Sequence, residues 1–188
     1  MDDKKIIDDR ISTKLSDVNN LNVSEIRSHI IVTINQFEYY CSLILLSYFE
    51  PKKDKEYDFV KVLLNGSIIG FGGKVKLLRS LSIIDEDEFS RLMQLANIRN
   101  GFAHSLHFET LNEDNNMENG EITTKLQHSL EILSNKGEIE LKNMKEWFEI
   151  FMEKSDYFLY WLPQVYEDYR INGEIRKVNK QDNYRIHK

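Results

Sequence analysis

Apolar residues recur along most of this chain at the three- and four-residue spacing of amphipathic helices. The stripe Ile26, Ile30, Ile34, Phe37, Cys41, Ile44, Leu45 and Tyr48 follows Asn22 and Glu25, which have the spacing of a capping box, and stops before Pro51. A long helix is expected there, ending near Glu50. Between Phe37 and Phe49 apolar residues spread around most of the circumference, as in a helix central to a bundle or covered by a second subunit. Ile6, Ile7, Ile11, Leu15 and Val18 predict a short helix before it, and Tyr57 to Leu64 another helical piece after it. Val75, Leu77, Leu78 and Leu81 place a helix over 74–81. Asp85 and Glu88 form a second capping-box spacing and open a helix with Leu92, Leu95, Ala96, Phe102, Ala103 and Leu106 on one side. From about Asn143 a last helix carries Met144, Trp147, Phe148, Phe151, Met152, Phe158, Leu159 and Leu162. Pro163 is expected to kink or break it, leaving Val165 to Tyr169 beyond.

Between the last two helices the period changes. Leu106, Phe108 and Thr110 alternate, as do Leu126, His128, Leu130 and Ile132, and Ser134-Asn135-Lys136-Gly137 supplies turn chemistry before Ile139 and Leu141. One or two β-hairpins, or a mobile insertion, fit about residues 107–141, with a helix still open for Thr123 to Leu133. The stretch Asn65 to Lys74 holds Gly66, Gly70, Gly72 and Gly73, half of the chain's 8 glycines. It fails as a phosphate loop, because Val75 follows Gly73-Lys74 where Ser or Thr belongs and Ile68 stands where the first glycine should be. It also lacks the third glycine of a dinucleotide fingerprint. A tight connection where helices approach closely is the expectation. The fold class is all-α: one helical bundle over residues 1–188, with a small β-hairpin or loop insertion.

Composition narrows the function. The 41% hydrophobic content suits a sizeable core, and the net charge of −6 argues against general adhesion to nucleic acid. A basic C-terminal tail from 170 to 188, with Arg176, Lys177, Lys180 and Arg185, offers a local RNA-binding candidate against that background. Cys41 is the only cysteine, so an intrachain disulfide is excluded, and a reducing cytoplasm is expected. The N-terminus lacks the pattern of a signal peptide, and Phe37 to Phe49 is too short to span a bilayer, so no membrane association is expected.

One hexapeptide carries plausible chemistry: Arg99-Asn100-Gly101-Phe102-Ala103-His104. At 100° per residue Arg99 falls about 20° from Leu92, near the middle of the apolar stripe. A guanidinium cannot shed its charge, so it needs a carboxylate, a second subunit or a phosphate. Asn100 and His104, four apart, flank it. Metal-free RNA cleavage needs a base for the 2′-hydroxyl, an acid for the leaving 5′-oxygen and a cation for the phosphorane. His104 and Arg99 are of the right types, and a symmetric dimer would supply two of each. The competing expectation is structural: Arg99 pairs with Glu38, and His104 caps the helix C-terminus.

Arg99 to His104 resembles the Arg-X4-His signature of the HEPN superfamily. The wider stretch, Leu64-Asn65-Gly66-Ser67-Ile68-Ile69-Gly70-Phe71-Gly72-Gly73-Lys74-Val75 through Ile98-Arg99-Asn100-Gly101-Phe102-Ala103-His104, is similar to the mannitol-operon repressor (MtlR-like) branch. The resemblance covers roughly residues 60 to 105. It implies a helical bundle that dimerises near the motif and, in many HEPN proteins, metal-independent endoribonuclease activity in toxin–antitoxin, phage-defence or RNA-processing systems. Arg99 and His104 would then be catalytic, with Asn100 supporting and an antitoxin or regulatory protein as a further partner. Leu106 stands where antitoxin-adenylylated HEPN toxins carry tyrosine, which speaks against that regulation. The MtlR-like branch implies instead a regulator acting through protein contacts, and this chain has no helix-turn-helix with a basic recognition helix. No cofactor is implied. His29, His107, His128 and His187 lack ligand spacing, so no metal is expected, and Trp147 and Trp161 are read as core.

Overall fold

In the computed structural model, which describes residues 22–116, 121–133 and 138–172, Asn22 and Glu25 cap the first helix reciprocally. The Asn22 backbone N–H donates to Glu25 Oε2 at 2.8 Å, and the Glu25 N–H to Asn22 Oδ1 at 3.1 Å. This helix, α1 (Val23–Phe49), stops where Glu50 turns left-handed (φ 40°) ahead of Pro51. Seven stripe residues, Ile26, Ile30, Ile34, Phe37, Cys41, Ile44 and Leu45, are buried. Tyr48 lies exposed at the helix end, in edge contact with Tyr169. By length and composition α1 would suffice to cross a membrane. Here it is the hub of the bundle, packed against the three helices that follow.

A 3₁₀ turn (Lys53–Lys55), an α turn (Glu56–Asp58) and a π turn (Phe59–Leu63) make the expected short helical piece. Asn65 to Gly70 then turns into α2 (Phe71–Ser80), which begins three residues earlier than its apolar pattern and takes Gly72, Gly73 and Lys74 into its first turns. The glycines serve close approach: a Cβ on Gly66 would stand 2.9 Å from Glu38 Oε1, and one on Gly73 3.0 Å from Ile69 Cγ2. The second capping box is also present, with Asp85 N–H donating to Glu88 Oε2 at 2.7 Å and Glu88 N–H to Asp85 Oδ1 at 2.9 Å. It opens α3 (Glu86–His104).

The insertion is a three-stranded antiparallel meander, β1 (Leu106–Asn116), β2 (Glu121–Leu133) and β3 (Ile139–Asn143), in the order β1-β2-β3. Thr123 to Leu133 is therefore strand and not helix. Pairing sets Leu106 opposite Glu131 and His107 opposite Leu130, and it carries Leu130 fully into the core.

The last helix, α4 (Met144–Asn172), runs through Pro163 without ending, so of the expected kink or break, the break does not occur. Proline removes one hydrogen bond to the preceding turn. Trp161, Leu162 and Val165 are buried on either side of it, and that packing holds the helix through the gap. Arg91 of α3 sits over the rings of Tyr157 and Phe158 at 4.6 and 5.2 Å, tying α3 to α4. The expected helix over residues 6–18 and the tail candidates Arg176, Lys177, Lys180 and Arg185 lie outside the described residues.

Candidate functional site

The C-terminal end of α3 is set by what packs on it. The stripe through Leu92, Leu95 and Ala96 is buried as its period requires. Beyond Ala96 the covered side shifts to Ile98, Gly101 and Phe102. The cause is the Trp147 ring of α4, which lies 6.2 Å from Phe102 between centroids, together with Ile132 of β2. A methyl group on Gly101 would overlap Trp147, so glycine is required in the middle of the hexapeptide. Leu106 leaves the helix for β1 and stands 65% exposed, and Ala103 is exposed too. The expected apolar line through Arg99, Ala103 and Leu106 is therefore a surface line.

Arg99 is half-buried on that surface. Its Nη1 donates to Asn100 Oδ1 at 3.1 Å, while its Nε is buried without a partner. Asn100 and His104 are exposed. Asn100 thus holds the arginine, not the histidine. Ser105 ends the helix by donating its N–H to Gly101 O at 2.9 Å.

Glu38 does not meet Arg99. It accepts from Lys74 Nζ at 2.6 Å, in a pair whose lysine side chain is only 3% exposed and whose glutamate is 21% exposed. The apolar neighbourhood read around Glu38 is the wall of α2, whose first turns bring Lys74 in. The same wall encloses Cys41, whose thiol burial pushes up to about 12, with Lys74 pulling against it and Glu38 adding to it. Among the described residues no ion pair joins Arg99 to any carboxylate.

Two features were not visible in the spacing. His107 Nε2 and His128 Nδ1 lie 3.0 Å apart, with ring centroids at 5.2 Å and planes within 22°. The centroids exceed the nitrogen separation by about two ring radii, so the rings meet edge to edge in one N–H···N bond that needs at least one neutral imidazole. Two nitrogens that share a proton do not converge on a common ion, and no cluster of three or more His, Cys, Asp or Glu suited to a metal occurs among the described residues. The contact is diagonal across β1 and β2, which only the strand register creates. The second feature is Arg27 of α1, whose Nη2 donates to Ser105 O at 3.2 Å, next to His104.

No protein-family model matches the chain, and the searches against curated proteins and against solved structures find no match either.

Proposed function

We propose that this protein is a metal-independent endoribonuclease of the HEPN type, cutting single-stranded RNA in the cytoplasm as a toxin or phage-defence component. The observation that carries this reading is Arg99. It keeps a buried, unpartnered Nε, its one acceptor is Asn100, and the carboxylate expected to neutralise it is bound to Lys74. A guanidinium kept purely for structure would have its enclosed nitrogen met by an acceptor, because a buried donor left unmet costs about 1–3 kcal/mol. One left beside an exposed Asn100 and His104 suits a phosphate, whose oxygens match its planar fork.

The reaction then runs without a metal. The 2′-hydroxyl oxygen attacks phosphorus and gives its proton to one imidazole. The P–O5′ bond breaks, and the 5′-oxygen takes a proton from a second imidazolium, leaving a 2′,3′-cyclic phosphate and a 5′-hydroxyl. Arg99 meets the charge that builds on the phosphorane oxygens. One chain offers a single motif histidine, so a homodimer that brings two motifs together supplies acid and base. The exposed Ala103 and Leu106 beside His104 are the surface such a dimer would cover.

Incubating labelled single-stranded RNA in EDTA with wild type, Arg99→Ala and His104→Ala tests this. Cleavage by wild type, lost in both folded variants, is the expected result. A well-folded wild type that cuts none of several RNAs would turn the reading toward a regulator working through protein contacts.

A further inference from the structure

Among the described residues the buried side-chain nitrogens and oxygens without a hydrogen-bond partner are Arg27 Nε, Arg99 Nε and Ser105 Oγ. They are not scattered. Arg99 and Ser105 bracket the last turn of α3, and Arg27 reaches from the start of α1 to the Ser105 carbonyl at 3.2 Å. Buried donors left unmet cost about 1–3 kcal/mol each, so folded proteins rarely gather three at one helix end. Neither arginine has a carboxylate partner among the described residues. On a chain of net charge −6, two guanidiniums with no carboxylate partner among the described residues make a local positive patch beside the Ser105 carbonyl and hydroxyl. What satisfies such a patch is an oxygen-rich anion.

We infer that Arg27 is a phosphate-binding residue of the same site, which holds an RNA phosphodiester next to the one that Arg99 meets. The inference rests on the nuclease reading above, and it adds a side chain 72 positions from the motif residue Arg99. Nη2 of Arg27 donates to the Ser105 carbonyl, which fixes the plane of the guanidinium; Nε is shut off from solvent, so a phosphate meets the guanidinium at Nη1, which no described residue engages. Removing Arg27 takes from the free protein its bond to the Ser105 carbonyl, worth about 1 kcal/mol.

The probe is a short single-stranded RNA with every 2′-hydroxyl methylated, which binds and cannot be cut. Its affinity for full-length wild type, Arg27→Gln, Arg27→Lys and Ser105→Ala is followed by fluorescence anisotropy across a salt series, beside cleavage of unmodified RNA. Arg27→Gln is expected to weaken binding about tenfold and to reduce the salt slope by about 0.7, with only the small drop in melting temperature that loss of the bond to Ser105 O brings. Arg27→Lys should keep the slope and lose part of the affinity, whereas Ser105→Ala, which removes a hydroxyl closed to solvent, should leave both unchanged. If wild type cuts RNA while Arg27→Gln binds with unaltered affinity and slope, this inference fails and the nuclease reading stands. If Arg27→Gln instead dissociates a dimer and leaves RNA affinity unchanged, the arginine serves a protein contact and the inference fails. A wild type that neither binds nor cuts overturns both readings together.

Discussion

Lys74 and Glu38 illustrate how unequally two partners of one ion pair depend on it. The ammonium is almost wholly enclosed, whereas the carboxylate keeps 21% exposure. Glu38→Ala strands a buried cation and is expected to cost about 3 kcal/mol or more. Lys74→Met puts an apolar chain of similar length in the same place and leaves a carboxylate that water still reaches, so its cost should be clearly smaller. Urea unfolding of the two variants decides; equal losses would contradict the asymmetry. Cys41 in the same wall gives a pH signature. An unfolded thiol ionises near 9.0 and the buried one near about 12. Below pH 9 both states hold the proton and the contribution is constant. Above it the unfolded chain releases a proton that the native state retains, so stability falls as pH rises from about 9 toward 12. Cys41→Ala should flatten part of that fall between pH 8 and pH 10 in thermal melts. An identical fall in wild type and variant would show that the thiol is not protected.

Elements were legible where the chemistry is local. Both capping boxes could be read from two residues each, and both helices start where those residues sit. The break allowed at Pro163 does not occur, because local propensity says nothing of the buried Trp161, Leu162 and Val165 that carry the helix past it. The face of α3 was misjudged at its end, since the period fixes a face only while one neighbour covers it, and Trp147 arrives from another element. Arg99, Asn100 and His104 were visible as a motif; that Glu38 belongs to Lys74, that Arg27 reaches Ser105, and that His107 meets His128 depend on contacts across 36, 78 and 21 positions. Gly101 is the hinge between the two levels. In an exposed helix Gly→Ala gains about 1 kcal/mol. Here the added methyl meets the Trp147 ring, and overpacking of about 1–3 kcal/mol should reverse the sign. Gly101→Ala is therefore expected to be less stable than wild type in denaturant, and adding Trp147→Phe should recover part of the loss. A stabilised Gly101→Ala would mean that α4 does not bear on the motif.

At the scale of the whole molecule, the bundle and its sheet leave one end of α3 open. Helices α1 and α4 both pack against α3, and β1 departs from its last turn. Arg99, Asn100 and His104 are thereby held on a rigid element yet reach the surface, the arrangement that positions reactive groups without relying on a loop. In the proposed function this surface meets a second copy of itself and an RNA strand. That claim is tested most directly by the products formed in EDTA from an RNA and from its 2′-deoxy counterpart, with ends identified by mass spectrometry. The account predicts cleavage of the RNA alone, giving 2′,3′-cyclic phosphate and 5′-hydroxyl ends. Cleavage of both strands, or 5′-phosphate ends, would contradict it, because neither can arise from attack by a 2′-hydroxyl.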